Sequence, residues 1–348
     1  MIKKLVLHGV STIDGKPVEQ VGAGFNRQLL THLLRGREHF DGFVLSDWGI
    51  TNDCPEACRG GWQHGTPPAI GMPWGVEGST RPDRFAKAIN AGVDQIGGTE
   101  ESAILIDAMR ANSVTRRRLD EAVTRILINK FRLGLFEQPY VDEAQAVRVV
   151  GSPRFKDDAE QAQKDALVLL ENRNGILPLK PGIRIYAEGS TPAAIVARGY
   201  RAAAGPMDAD VILARADAPF HSQHPTYFFG SFQTEGNLDL AGDDRLLKLV
   251  SDAAGHVPVV LVMRMQRPAI LSQLRDSAAA IVADFGISDD ALMDALGAAH
   301  GPTGHLPFEL PSSMAEVRLQ QSSRPHDTAH PLYSYGYGKS WELGAQGR

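Results

Sequence analysis

Apolar residues follow two rhythms along this chain. Residues 42–46, Gly-Phe-Val-Leu-Ser, make a short unbroken apolar run, as expected of a strand buried on both faces. Residues 26–35 instead put Leu29, Leu30, Leu33 and Leu34 on one helical face, with Gly36 just past the end. Residues 5–8 and 92–98 read as further short strands, and residues 84–91 as a helix. The clearest element is a helix over 114–133. There Leu119, Val123, Ile126, Leu127 and Phe131 recur at spacings of three and four, Ser113 offers a cap and Gly134 a stop. Strands alternating with helices predict parallel strands joined by helical crossovers.

The second half repeats the alternation. Residues 183–187, 210–214, 258–263 and 279–283 are apolar strand candidates, separated by helical stretches at 192–198, 243–254, 270–274 and 289–298. That order predicts a doubly wound α/β sandwich over residues 166–343. Residues 141–165 read as a linker, acidic at first and then a polar helix, which leaves 1–140 as a first domain.

Composition narrows the function. The 348 residues suffice for two domains, and 43% apolar with 22% charged residues is the profile of a globular protein. A net charge of −5 is mild, and Lys and Arg are scattered, so nucleic acid is not an expected partner. Arg116-Arg117-Arg118 is the exception and reads as a solvated helix face. No apolar stretch approaches the ~20 residues of a membrane span, and the apolar run after Lys3-Lys4 is too short for a signal peptide. As written, the chain is expected in the cytoplasm. Cys54 and Cys58, spaced C-x3-C, read as free thiols in a loop ahead of a local disulfide. The eleven histidines form no HExxH or similar cluster, so no metal is expected. Glu188-Gly189-Ser190 lacks a glycine-rich phosphate loop, and no GxSxG elbow occurs; no cofactor is implied.

Asp47 is the candidate for chemistry. It follows the apolar run and precedes Trp48-Gly49 and a long Gly/Pro-rich loop over residues 49–82. A carboxylate at the carboxyl end of a parallel strand lies on the face where α/β active sites form. Trp48 beside it offers an aromatic face to a sugar ring. The competing reading is an aspartate that caps the following turn. Asp94 also reads as a strand-end carboxylate, but glycines follow it and favour a turn role.

With these residues in view the chain resembles glycoside hydrolase family 3. Leu33-Leu34-Arg35-Gly36 followed by Phe40-Asp41-Gly42-Phe43-Val44-Leu45-Ser46-Asp47-Trp48-Gly49 resembles the family's nucleophile segment. Ala91-Gly92-Val93-Asp94 and Phe131-Arg132-Leu133-Gly134-Leu135-Phe136 resemble later parts of its catalytic domain. Ala166-Leu167-Val168-Leu169-Leu170-Glu171-Asn172, Gly304-His305-Leu306-Pro307-Phe308 and Tyr335-Gly336-Tyr337-Gly338-Lys339-Ser340 resemble its second domain. The resemblance implies a (β/α)8 barrel followed by the sandwich, and retaining hydrolysis of terminal β-linked sugars in carbohydrate catabolism. β-Glucosidase is the commonest such activity, with a β-linked glucoside or oligosaccharide as substrate. It makes Asp47 the nucleophile and Trp48 and Trp74 sugar-binding candidates. For the acid/base, Glu235 in a second-domain loop is the candidate, and Glu77 the rival, which could instead bind a sugar hydroxyl.

One departure is large. A complete barrel takes about 250 residues, and only about 140 precede the linker, so an incomplete barrel with its last strands alone is expected. The segment that in the family carries the sugar-gripping aspartate, an arginine and a Lys-His pair has no counterpart here. The open sheet edges and uncovered apolar face that result are a physical liability. Two expectations follow: an active hydrolase whose missing strands come from a second chain, or an N-terminally truncated, inactive remnant or partner-dependent sugar-binding subunit. Full-length relatives would then be candidates for export.

Overall fold

The computed structural model describes residues 12–56, 71–223, 225–226, 233–240, 244–298, 301–321 and 324–341. The strand expected at 5–8, Cys58 and Trp62 lie outside them. The chain divides into two compact units, Met1–Glu143 with His224–Gln233, and Ala144–Gln223 with Thr234–Arg348.

In the first unit β1 (Leu45–Trp48) pairs in parallel with β2 (Gln95–Gly97), joined through helix α1 (Arg81–Ala91). This is the expected strand-helix-strand crossover. Thr80 caps α1 by accepting the Asp83 N–H at 3.3 Å, Pro82 sits in its first turn, and Gly92 ends it at φ 127°. Phe85, Ala88 and Ile89 of α1 pack with Phe25, Val93, Ile96 and Val114 to form the core. Helix α2 (Ser102–Arg110) has no counterpart in the sequence reading, and only Ala108 of it is buried. Helix α3 (Arg116–Arg132) is capped by Thr115 rather than Ser113; the Thr115 hydroxyl accepts from the Arg118 N–H. The leucine-rich segment Gln28–Arg37 winds as a wide π-type helix, with the Glu38 N–H reaching back five residues to Leu33.

The apolar run at Phe43 is not a strand buried on both faces. Leu45 and Trp48 are exposed and Ser46 is the buried member of β1. Among the described residues β1 has a single neighbour, so nothing there covers its second edge and face. Val123, Ile128 and Phe131 on α3 are likewise exposed. Cys54 is disulfide-bonded, not a free thiol.

Two helices, α4 (Glu143–Val149) and α5 (Pro153–Asp165), occupy the stretch read as a linker. The second of them docks: Lys164 pairs with Asp294, and Gln163 accepts the Ser288 N–H at 2.9 Å.

The second unit is a six-stranded sheet built from β3 (Val168–Asn172), β4 (Arg184–Glu188), β5 (Arg201–Ala202), β6 (Val211–Asp217), β7 (Val259–Arg264) and β8 (Ala280–Asp284). Its spatial order is β3-β8-β7-β6-β4-β5; β3 is antiparallel to β8 and every other pairing is parallel. Helices α6 (Pro192–Ala197) and α9 (Asp289–Gly297) cover one face. Helices α7 (Asp244–Ala253) and α8 (Ser272–Arg275) cover the other, so the sheet is doubly wound as expected. A small ladder of β9 (Leu310–Pro311) and β10 (Pro331–Tyr333), with α10 (Met314–Leu319) between them, completes the unit.

The closing segment is tied to β3 by one buried carboxylate. Glu171 accepts from Lys339 Nζ at 2.7 Å, from the Tyr333 hydroxyl at 3.0 Å and from Arg275 Nε at 3.3 Å. Burial alone would raise its pKa. The bonds from Lys339 and Tyr333 outweigh that and hold it below the usual glutamate range. A depressed folded pKa gives stability that is complete above the ordinary value and lost as pH falls through the folded one. Thermal unfolding followed downward from pH 6 should therefore lose stability below about pH 4 in the native chain. Glu171→Gln should lose about 1–2 kcal/mol at neutral pH and show a flatter acid limb. An unchanged acid limb would refute the assignment.

Candidate active site

Asp47 sits at the carboxyl end of β1 with its side chain exposed, where its Oδ1 accepts the Trp48 N–H at 2.7 Å. The register beneath it is held by Ser46, whose hydroxyl accepts the Gly97 N–H at 2.8 Å and donates to the Asp47 carbonyl at 2.9 Å. Trp48, 58% exposed, lies against Gly97 and Gly98. A Cβ at Gly98, where φ is +71°, would stand 2.4 Å from the Trp48 ring, and one at Gly97 would stand 2.5 Å from the Ser46 carbonyl. The paired glycines after Ile96 are thus what lets the tryptophan lie across β2. An exposed carboxylate beside an exposed indole can approach a sugar's anomeric carbon while the ring rests on the aromatic face.

The loops around Asp47 are clamped by Arg84, a buried residue that sequence reasoning passed over. Its guanidinium donates to the Thr51 carbonyl at 3.3 Å and Asp53 Oδ1 at 2.7 Å, just past Asp47. It also donates to the Val76 carbonyl at 3.1 Å and the Glu77 carbonyl at 2.9 Å. One side chain therefore holds the segment after Asp47 to the one carrying Trp74 and Glu77. Glu77 itself is exposed, and Trp74 is half-buried, its carbonyl accepting the Gly22 N–H at 2.8 Å.

Asp94 is not a strand-end turn residue. It precedes β2, at the amino ends of the two strands, away from the carboxyl-end face that carries Asp47. Its side chain is fully buried and accepts from Arg35 at 2.5 Å, Arg118 at 2.8 Å, Arg125 at 3.0 Å and the Val44 N–H at 2.9 Å. Only part of the Arg116-Arg117-Arg118 run is a solvated face. Arg116 and Arg117 pair with Asp120 and Glu121 one turn on, whereas Arg118 turns inward. The visible signal was spacing: Arg118 and Arg125 are two helical turns apart on α3 and share one face. Burial lowers the pKa of Arg35, and the charges of Arg125 and Arg118 add to the effect, against the pull of Asp94.

Glu235 belongs to the second unit. Its Oε2 accepts the Gln223 N–H at 3.0 Å, and its carbonyl accepts from the His221 N–H at 2.8 Å and Arg267 at 2.6 Å. Arg267 also donates to the Gly236 carbonyl at 2.8 Å, which fixes the loop around the glutamate. Burial lowers the pKa of that guanidinium. Among the described residues no group of His, Cys, Asp and Glu could hold a metal ion.

The pattern of the glycosyl hydrolase family 3 C-terminal domain matches residues 167–341. The periplasmic β-glucosidase/β-xylosidase of Dickeya chrysanthemi is 47% identical over 325 residues, covering 93% of this chain and 50% of that protein. β-Glucosidase C of Emericella nidulans is 35% identical over 329 residues, covering 93% of this chain and 51% of its own. A crystal structure of a β-glucosidase from Listeria innocua in complex with gluconolactone aligns with TM-score 0.69 at 22% identity. It covers 95% of this chain and 50% of that one, a likeness of fold. The chain spans about half the length of the curated relatives it matches.

Proposed function

The chain belongs to glycoside hydrolase family 3, and from that premise we propose that it carries the nucleophile half of a retaining β-glycosidase. The observation that carries this reading is Asp47: an exposed carboxylate at the carboxyl end of a parallel strand, with Trp48 alongside. Asp47 attacks the anomeric carbon of a terminal β-linked glucoside and forms a glycosyl-enzyme. A second carboxyl group first protonates the departing oxygen and then deprotonates the water that releases the sugar with retained configuration. Glu235 is the acid/base in this reading. Its loop is braced by Arg267, which suits a group that must be positioned repeatedly. Glu77, on a segment Arg84 holds to the nucleophile's loop, remains the rival or a sugar-hydroxyl ligand, and Trp48 and Trp74 are the aromatic platforms. The boundaries of the proposed organisation are the barrel part at 1–140, the linker at 141–165 and the sandwich at 166–343.

The exposed apolar side chains of β1 and α3 favour a particular form of this activity. The parallel sheet of the first unit, two-stranded among the described residues, calls for further strands against it before a closed sugar pocket exists; in this proposal a second chain supplies them. Without them the chain would act as a sugar-binding subunit. No helix among the described residues is long and apolar enough to cross a membrane. The Cys54 disulfide supports work in an oxidising compartment, as the periplasm is for the Dickeya relative. An aryl β-glucoside assay with Asp47→Asn as control tests the reading, alone and with an added half-barrel chain.

A further inference from the structure

The parallel strands of the second unit appear along the chain as β4, β5, β6, β7, β8 but lie in space as β8-β7-β6-β4-β5. From β4 the chain moves outward to β5 through α6; from β6 it moves the opposite way to β7 through α7, on the other face. Between the carboxyl ends of β4 and β6 the winding therefore reverses. In open α/β sheets that crevice is where ligands bind.

A cavity of about 360 Å³ opens at this place. Glu188, the last residue of β4, and Asp217, the last of β6, line it together with Phe220, Arg245 and Leu249. Every charge on the wall already has a counter-charge. Glu188 pairs with Arg245 at 2.5 Å, Asp217 with Arg264 at 2.5 Å, and Arg215 with Asp284 at 2.6 Å and Asp289 at 2.5 Å. The site has no surplus charge with which to draw an ion, yet its carboxylates and guanidiniums keep lone pairs and N–H groups for hydroxyls. Phe220 is 51% exposed and adds an aromatic face.

Phosphate-bearing ligands do not suit the place. The turn after β4 has one glycine; α6 is a six-residue helix with proline in its first turn, and the Thr191 N–H before it is taken by Asp289 at 2.7 Å. The volume lies near the lower end of ligand pockets, about 300–1,000 Å³, room for one ring rather than a chain of them.

We propose that this switch-point cavity is a non-catalytic binding site for a single neutral monosaccharide, held by Glu188, Asp217 and Phe220. It is lined wholly by the second unit and does not rest on the Asp47 reading. The test titrates D-glucose into the 348-residue chain carrying Asp47→Asn, by calorimetry and ligand-observed NMR. Saturable one-to-one binding on the order of millimolar is expected. Phe220→Ala and Asp217→Asn should each weaken it by about tenfold. Phe220 and Asp217 are exposed, so unchanged thermal unfolding accompanies these variants. Absent saturation, insensitivity to both cavity variants, or displacement of glucose by inorganic phosphate would each overturn the proposal.

Discussion

Asp47→Asn should reduce hydrolysis of an aryl β-glucoside by about four orders of magnitude or more, the scale seen when the nucleophile of a covalent mechanism is removed. The substitution is close to isosteric. Its amide oxygen can still accept the Trp48 N–H that Asp47 Oδ1 takes at 2.7 Å, so the strand end keeps its shape. The loss is then one of chemistry, because a neutral amide cannot displace the aglycone. Thermal unfolding should stay within about 0.5 kcal/mol of the parent, as for exposed substitutions in general. Asp47→Ala offers a second readout: azide entering the vacated space should restore turnover and yield the α-glycosyl azide. A residual rate within tenfold of the parent would assign the nucleophile elsewhere. The measurement belongs to whichever assembly turns over, the chain alone or with a half-barrel partner.

The largest expected effect on stability lies at Asp94. Three guanidiniums converge on this fully buried carboxylate, and the Val44 N–H just before β1 closes the arrangement. Removing the one negative charge leaves three cations facing each other with little water. Breaking a buried ion pair of this kind costs about 3–5 kcal/mol. Asp94→Asn should destabilise the first unit by that amount, and Asp94→Ala by more, since the Val44 hydrogen bond goes too. Trp48 and Trp74 lie in the first unit and Trp341 in the second, so fluorescence and far-UV circular dichroism separate the two in a denaturant titration. The first transition should move to lower denaturant and the second should stay. A variant that unfolds like the parent would mean that water, not Asp94, balances the arginines.

Much of the second unit could be read directly. The strands expected at 183–187, 210–214, 258–263 and 279–283 each lie within a few residues of β4, β6, β7 and β8. Strands covered by helices on both faces are continuous apolar runs, and the pattern has little else to mean there. The antiparallel edge strand β3 and the two-residue β5 escaped that test. The first unit was harder. Its run at Phe43 has the composition of a strand covered on both sides, but with one paired neighbour among the described residues the exposed Leu45 reads as a buried residue that is not. The Leu29–Leu34 pattern identifies a helix but not its wide π-type winding.

At the candidate site, the local sequence announced Asp47 and Trp48 through their place after an apolar strand. Arg84 and the Asp94 arginines stayed hidden because their partners are 24 to 59 residues away in sequence or are backbone carbonyls. No spacing rule points to such partners. Arg118 shows the difficulty plainly: two neighbours in its run are solvated, and its spacing to Arg125 marks a shared face without naming Asp94 as what both reach.

The most direct test of Asp47 as the nucleophile is to trap the intermediate. An activated 2-deoxy-2-fluoro-β-glucoside slows both steps of a retaining mechanism but slows release more, so the glycosyl-enzyme accumulates. Intact-mass and peptide mapping of the assembly that turns over should show one sugar per chain, on the peptide carrying Phe43-Val44-Leu45-Ser46-Asp47-Trp48, at Asp47. A label on any other carboxylate, or turnover with no label at Asp47, would contradict the account.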